Sequence, residues 1–254
     1  MVSDKQRRAL VRPLMKRRPD LAYHRQYVFF RDLRHYLRGV FFESGTYGGF
    51  DLRAFVFPLF DATTFHYFRQ TRSLEDDDKD EPFVKYYPTD KTGPDHLASE
   101  QMALEISDVI EREGLPEVAD LASPEALAKR PAYSRAAIDE ILGACFNGDY
   151  ERARQKVESY VEYWKDTWEK LPLGIKRFKT NVLYETKYKV FSFDLVTEEH
   201  KFHQSDRWRM AYLGSILRTD PSRIPALLHE WEAFTVKSFN LHKYWTPTPF
   251  PCDR

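Results

Sequence analysis

The sequence predicts an α+β fold, in which a small antiparallel β-meander near the N-terminus is followed by a mainly α-helical body. Between residues 23 and 57, apolar and polar residues alternate with the period of two that a half-buried strand requires. From residue 97 onward, apolar residues recur at helical spacing. The chain has 254 residues, of which 42% are apolar, and this is enough to build a substantial core.

Residues 1–70 are expected to form the first part, an N-terminal helix followed by the sheet. Apolar residues at helical spacing among basic ones predict a helix over 4–18, which Pro19 should stop. Strands are predicted at residues 23–30, 36–43, 50–57 and 65–70. A glycine-rich turn at 45–49 joins two of these strands, and Pro58 should end the pairing of the third strand.

Residues 71–95 are expected to form an exposed acidic loop, because acidic residues and prolines together resist regular structure. Residues 96–254 are expected to form a helical region that packs on the sheet as one unit. Its predicted helices cover 97–110, a segment that opens at Ser123, 134–146, 150–171, 207–218 and 224–244. Gly114 and Pro116 should close the first of them, whereas helix and strand compete over residues 172–204.

The charge of the chain is balanced overall but strongly segregated. The 39 Lys and Arg residues equal the 39 Asp and Glu residues. Residues 1–70 hold 13 basic and 6 acidic residues, a net charge of +7, whereas residues 71–125 hold 5 and 16, a net charge of −11. Two solvated faces of one globule are the simpler explanation, and a partner-binding surface is the more specific one.

Sequence motifs of the common enzyme classes are absent. The ten glycines form neither a phosphate-binding loop nor a dinucleotide fingerprint, and the sequence contains no GxSxG or HExxH motif. His200 and His203 lie near Glu199, but no third ligand is fixed by spacing, so a charged surface stretch is favoured over a metal site. Cys145 is expected in the core and Cys252 in a proline-rich tail. No catalytic residue, metal or cofactor is therefore predicted.

Two weaker patterns concern nucleic acids. Glu185, Thr186 and Lys187 match the Glu-x-Lys tripeptide of restriction-type nucleases, but no partner carboxylate lies nearby in the sequence. The basic N-terminal helix and the following Tyr and Arg residues of 23–31 have the side chains that track a phosphate backbone. The zero net charge favours a solvated helix face instead.

The sequence also contains no membrane or export signal. The longest apolar run, Ala54–Phe60, is far shorter than the roughly 20 residues of a membrane-spanning helix. The basic start has no apolar stretch behind it, so a secretory signal is not predicted. A cytoplasmic location without membrane contact is expected.

Two stretches resemble known kinds of protein. Residues 142–153, with Gly148, Asp149 and Tyr150 at the turn, resemble one tetratricopeptide-like helical hairpin, although no second copy follows at that period. Over residues 5–145, a basic helix that ends at Pro19 is followed by the apolar runs 27–30, 37–44 and 52–60 and by a helix that runs into Gly114-Leu115-Pro116. This arrangement resembles uncharacterised bacterial proteins of unknown function. That resemblance implies an immunity or defence-associated role, and it carries over no active-site residue.

These observations lead to a functional hypothesis, a non-enzymatic cytoplasmic protein that binds a protein partner. The resemblance implies an immunity protein that neutralises a toxin, and acidic residues are suited to opposing cationic surfaces. The expected partner-binding residues are Glu75, Asp76, Asp77, Asp78, Asp80 and Glu81. The alternative is an enzyme or nucleic-acid-processing component of a bacterial defence system.

Overall fold

The computed structural model describes residues 3–44, 50–62, 71–73, 99–128, 137–169, 193, 196–203 and 205–253. The chain divides into two compact units. Unit 1 is drawn from residues 1–59, 66–134 and 240–248, and unit 2 from residues 60–65, 135–239 and 249–254. The α+β class predicted from the sequence is confirmed, since an antiparallel sheet precedes a mostly helical body. The expected helical region 96–254 is divided between the two units.

Unit 1 contains the sheet and the helices nearest to it in sequence. Its elements are α1 (Asp4–Arg17), β1 (Leu21–His24), β2 (Tyr27–Phe30), β3 (Tyr36–Ser44), β4 (Phe50–Pro58), β5 (Thr71–Ser73), α2 (Glu100–Val109), a π-helical turn (Ile110–Gly114), α3 (Leu115–Val118) and α4 (Pro124–Ala128). A 3₁₀ turn, Leu59–Asp61, follows β4.

The five strands form an antiparallel sheet in the order β1-β2-β3-β4-β5. The prediction of one strand over 23–30 was wrong, because the chain reverses at Arg25, whose φ of 57° lies in the left-handed region. Tyr23 consequently pairs with Val28. Pro58 forms the last pair of β4, as predicted, and Thr71–Ser73 extends the sheet instead of opening the acidic loop. The strand predicted at 65–70 and the rest of the acidic loop lie outside the described residues.

Helices α1 and α2 pack against one face of the sheet and close the core of unit 1. Apolar side chains from both helices and from the sheet form one buried cluster, which includes Leu10, Val11, Leu14, Val28, Val40, Phe42, Leu52, Ile106 and Ile110. Lys5, Arg8 and Arg12 lie on the exposed side of α1, and Lys16 and Arg17 lie in its last turn, so the helix is amphipathic, as the sequence predicted.

Ser107 joins α1 and α2 beside a proline in the middle of α1. Pro13 has no amide hydrogen, so the regular hydrogen-bond ladder of α1 is weakened at this turn. The buried Ser107 hydroxyl accepts from the Leu14 amide at 3.3 Å and donates to the Leu10 carbonyl, also at 3.3 Å. The helix therefore continues past Pro13 to Arg17.

The helical path from α2 into α3 differs from the prediction that Gly114 and Pro116 end the helix. Gly114 has helical angles, φ −70° and ψ −46°. The Leu115 amide donates to the Ile110 carbonyl, which is the wider bond of a π-turn. Since Pro116 follows this wider turn at the start of α3, where a missing amide hydrogen costs little, the chain stays helical.

Unit 2 is built from helices. Its elements are α5 (Ala137–Phe146), α6 (Tyr150–Glu169), a 3₁₀ turn (Glu198–Phe202), α7 (Asp206–Thr219), a 3₁₀ turn (Pro221–Arg223), α8 (Ile224–Phe239) and a 3₁₀ turn (Pro251–Asp253). The predicted hairpin of α5 and α6 turns at Gly148, whose φ of 77° favours glycine. The helix predicted to reach residue 244 ends at Phe239, because Asn240 adopts a left-handed φ of 57°.

A fully buried ion pair lies in the core of unit 2. Arg209 of α7 and Asp61 are both 0% exposed, and Arg209 Nη2 lies 3.4 Å from Asp61 Oδ1. The same nitrogen lies 2.5 Å from Asp206 Oδ1, and Nη1 donates to the His203 carbonyl at 2.8 Å. A buried guanidinium requires such partners, because an isolated charge in a core is strongly unfavourable.

Candidate protein-binding face

The solvent-facing side of α2 combines carboxylates with an exposed leucine. The helix starts at Ser99, whose hydroxyl accepts from the Met102 amide at 3.2 Å, a standard N-cap. Its apolar side is buried at Met102 and Ile106, one turn apart. Leu104 points elsewhere and keeps 40% of its surface exposed, although a large apolar side chain gains from burial.

Carboxylates flank Leu104 on this side of α2. Glu100 and Asp108 lie one helical turn before and after Leu104, so both share its face. Glu105 is exposed beside them and accepts a hydrogen bond from Gln101 Nε2 at 2.7 Å. We call Glu100, Leu104, Glu105 and Asp108 the acidic face of α2.

The whole described segment around this face is acidic. Residues 99–128 contain eight Asp and Glu residues and one basic residue, Arg112, for a net charge of −7. Negatively charged carboxylates on neighbouring turns repel one another, and they also attract cations from solution. The segment is therefore suited to a cationic partner.

Part of this negative charge is balanced within unit 1. Arg17 Nη2 lies 2.8 Å from Asp108 Oδ1 and 2.9 Å from Glu111 Oε2. Arg18 lies 3.7 Å from Glu111 Oε1 and 2.7 Å from Asp20 Oδ2. Asp108 belongs to the acidic face of α2, so one of the three carboxylates of that face is paired with α1.

Three other carboxylates of the segment are exposed to solvent. Glu100, Glu105 and Glu113 have no cation within ion-pair distance in the part of the chain that the structure describes. Because no described side chain neutralises them, their charge is available to an approaching molecule as far as the described residues are concerned.

The expected partner-binding residues Glu75, Asp76, Asp77, Asp78, Asp80 and Glu81 all lie outside the described residues. The same holds for Glu185 and Lys187 of the nuclease-like tripeptide. The partner-binding prediction for residues 75–81 therefore stays a prediction, and the acidic residues whose surroundings the structure describes are those of residues 99–128.

His200 and His203 lie close together, as the sequence spacing suggested. In a 3₁₀ turn residues three apart overlap, and the two ring centroids are 6.0 Å apart. His200 Nδ1 accepts from the Thr197 amide at 3.1 Å, and His203 Nδ1 accepts from the Ser205 amide at 3.0 Å. Each Nδ1 is therefore an acceptor, and the ring proton of the neutral form lies on Nε2.

These hydrogen bonds fix the orientation of the two imidazole rings, and the turn that carries His200 packs on neighbouring helices. The His200 ring lies 4.3 Å from the buried Trp208 ring, centroid to centroid. The Trp231 indole donates to the Lys201 carbonyl at 2.8 Å, and Phe202 stacks on Phe234 at 4.6 Å. The 3₁₀ turn is thus held to α7 and α8 of unit 2. Among the described residues, no group of three or more His, Cys, Asp and Glu side chains is arranged to hold a metal ion.

The two cysteines have different surroundings. Cys145 is completely buried in α5, as predicted, and burial raises the pKa of its thiol far above the usual value. Cys252 is half-buried, and burial also raises its pKa. Both thiols are consequently poorer nucleophiles at neutral pH than a free cysteine. Nearby Tyr150 has its pKa raised to about 12, mainly by burial.

The exposed leucine is the feature that the sequence prediction missed. The prediction grouped Leu104 with the apolar residues of its helix. The spacing of Met102, Ile106 and Ile110 defines a stripe that leaves Leu104 more than a quarter turn away, and this signal could have identified it.

Searches against protein-family models, curated proteins and solved structures found no match to this chain. None of the helices in the described ranges is both long enough and apolar enough to cross a membrane.

Proposed function

We propose that the chain is a non-enzymatic cytoplasmic binding protein of the immunity type, which covers the active surface of a cationic toxin. The observation that carries the proposal is the acidic face of α2, where the exposed Leu104 is surrounded by carboxylates. A buried apolar anchor within a charged rim is the usual anatomy of a specific protein interface.

The carboxylates would act first, during the approach of the partner. Segment 99–128 has a net charge of −7, and charge attraction over several ångströms raises the rate of encounter with a cationic surface. Exposed Glu100 and Glu105 need no rearrangement within the described residues to meet that surface. Toxins that act on nucleic acids need a cationic active surface, because their substrate is anionic.

Leu104 would act after encounter, by holding the complex together. Its exposed side chain is on a rigid helix, so little conformational entropy is lost when a partner covers it. Truncation of such a central anchor commonly costs more than about 1 kcal/mol of binding free energy. The off-rate, rather than the on-rate, should report this contribution.

Site-specific photocrosslinking in the native host tests the proposal. A photoreactive residue replaces Leu104 on the acidic face, and in the matched control it replaces Tyr163, which is 62% exposed on α6 of unit 2. We expect one basic protein to be captured through position 104 and not through position 163. The captured protein, once purified, should be a toxin that excess wild-type protein inhibits.

Three outcomes would overturn the proposal. The first is capture of no protein at position 104, and the second is capture of the same proteins at both positions. The third is a captured protein whose activity persists in the presence of excess wild-type protein. Comparison of the Leu104→Ala variant with wild type then adds a quantitative check, since the off-rate of the variant should rise by about tenfold, equivalent to 1.4 kcal/mol.

A further inference from the structure

Helix α1 carries a row of exposed cations on the side opposite to the core. The spacing of three, four and four residues places them on one stripe of the helix, which consists of Lys5, Arg8, Arg12 and Lys16. The row spans twelve residues, and its eleven steps of 1.5 Å give a length of about 16 Å. Leu10 and Leu14 on the other side are fully buried, so this row faces solvent.

Three of the four cations of the row differ from the basic residues that form ion pairs in unit 1, and the fourth, Arg8, pairs with Asp4 at 2.8 Å. Arg17 and Arg18, at the end of α1, pair with carboxylates of α2, of the π-turn and of the following loop. Lys5, Arg12 and Lys16 have no carboxylate within ion-pair distance among the residues that the structure describes. Their charges are therefore not used by the described fold.

Aromatic rings lie beside the N-terminal end of the row. The guanidinium of Arg8 lies 5.5 Å from the centroid of the half-buried Tyr23 ring. Lys243 Nζ lies 4.5 Å from the centroid of the Tyr244 ring, which is also half-buried. The Tyr244 ring in turn meets the His24 ring at 6.4 Å, and all of these residues belong to unit 1.

We propose that this row and the adjoining Tyr244 ring form a face that binds the phosphate backbone of a single-stranded nucleic acid. A line of cations follows a phosphate chain without reading its sequence. The half-buried Tyr244 ring beside it would provide a surface on which an unpaired base stacks. The site is separate from the acidic face of α2 and does not depend on the proposed function.

The chemistry of the row favours a nucleic acid over a lipid surface. A helix that lies in a membrane interface needs large apolar side chains beside its cations. The exposed positions between the cations of α1 contain Ala9 but no exposed Leu, Phe or Trp, while the apolar residues of the helix are buried in unit 1. The row therefore presents positive charge, but it has no exposed apolar side chains that could insert into a membrane interface.

Fluorescence anisotropy with a labelled 20-nucleotide oligo(dT) tests the proposal, at several salt concentrations from about 50 mM upward. The first variant combines Lys5→Gln, Arg12→Gln and Lys16→Gln. Its matched control removes three exposed cations of unit 2 by Arg152→Gln, Lys156→Gln and Lys237→Gln. A third variant, Tyr244→Leu, keeps an apolar side chain and removes the aromatic ring.

We expect wild type to bind the oligonucleotide and the row variant to bind at least tenfold more weakly, while the control variant binds like wild type. The slope of log affinity against log salt should become shallower by about 2 in the row variant, because each single-strand phosphate contact contributes about 0.7. Tyr244→Leu should weaken binding without changing that slope, since base stacking releases no counterions.

Several results would overturn the proposal. They are an absence of oligonucleotide binding by wild type at about 50 mM salt, an equal loss of affinity in the row and control variants, and binding to vesicles that contain anionic lipid but not to the oligonucleotide. A variant of the acidic face should keep its oligonucleotide affinity, so this proposal and the proposed function fail independently.

Discussion

The guanidinium of Arg17 donates two hydrogen bonds to Glu111 Oε2, from Nη2 at 2.9 Å and from Nε at 3.1 Å. This contact links the C-terminal end of the basic helix α1 to the π-turn after the acidic helix α2. The charged residues of unit 1 therefore fall into two classes. Some form ion pairs that hold α1 and α2 together, and the others face solvent.

The Arg17→Gln variant should be less stable than wild type by up to about 1 kcal/mol, because the ion pairs that it loses are partly exposed and are screened by water. Chemical denaturation at low salt measures the difference. The Arg12→Gln variant, which removes a charge from the exposed row, should stay within about 0.5 kcal/mol of wild type. Equal destabilisation by the two variants would contradict the division into two classes.

Ser107→Ala should destabilise the protein by about 1 to 3 kcal/mol, because it removes the hydroxyl that bonds to the Leu14 amide and the Leu10 carbonyl inside the core. The free energy of unfolding measures this loss. Ser159→Ala is the control, since the Ser159 hydroxyl is exposed on α6 and bonds only to the Gln155 carbonyl among the described contacts. If both variants unfold at the same denaturant concentration, Ser107 does not support α1 at Pro13.

The buried pair of Arg209 and Asp61 should show strong coupling in a double-mutant cycle. Arg209→Met leaves buried carboxylates without their cation, and a loss of about 3 to 5 kcal/mol is expected. Asp61→Leu leaves a buried guanidinium with fewer acceptors and is also expected to be destabilising. The double variant should lose at least about 1 kcal/mol less than the sum of the single losses. Additive losses would show that the two side chains do not interact.

The contribution of Asp51 to the stability of the fold should depend on pH in the opposite direction to that of a carboxylate stabilised by a salt bridge. Burial raises the pKa of Asp51 above its ordinary 3.8, although Arg53 Nε lies 3.1 Å from it. The folded state therefore binds this proton more tightly than the unfolded state. The contribution of Asp51 to stability consequently falls as the pH rises above about 4.

Asp51→Asn removes this ionisation and keeps an oxygen for Arg53. The stability of the variant relative to wild type should increase between about pH 4 and pH 7, as measured by denaturation at each pH. Glu100→Gln, on an exposed helix turn, controls for the loss of one carboxylate. A difference between Asp51→Asn and wild type that stays constant over this pH range would contradict the role of burial.

The sequence predicted the parts of the fold that local patterns determine. The alternation around β3 and β4, the amphipathic α1 and the turn at Gly148 all depend on neighbouring residues, and the structure contains them. The reversal at Arg25 was missed, because no glycine or asparagine marks it and the flanking residues keep the strand period. The pairing of Arg209 with Asp61 joins residues 148 positions apart, which spacing alone does not reveal.

The acidic character of the candidate site follows from the sequence, whereas its side-chain arrangement does not. Charge counting selected the densest run, residues 75–81, which lies outside the described residues, and that site stays a prediction. The exposure of Leu104 could have been inferred from the helical spacing of Met102, Ile106 and Ile110, but its value of 40% comes from the packing of α2 on the core. Whether a charged side chain forms an ion pair within the fold, as Arg17 does with Glu111, depends on contacts between distant segments.

The association rate of the protein captured through position 104, measured by stopped flow from about 20 to about 500 mM salt, tests the central claim most directly. The tested variant combines Glu100→Gln and Glu105→Gln of the acidic face, and its control combines Glu158→Gln of α6 with Glu199→Gln of the turn Glu198–Phe202, both in unit 2. We predict that salt slows the association of wild type and of the control by at least about tenfold, because the Debye length falls with salt, while the off-rates change less. The acidic-face variant should associate slowly at all salt concentrations. Equal association rates of wild type and this variant at low salt would contradict the claim that the acidic face of α2 steers and binds a cationic partner.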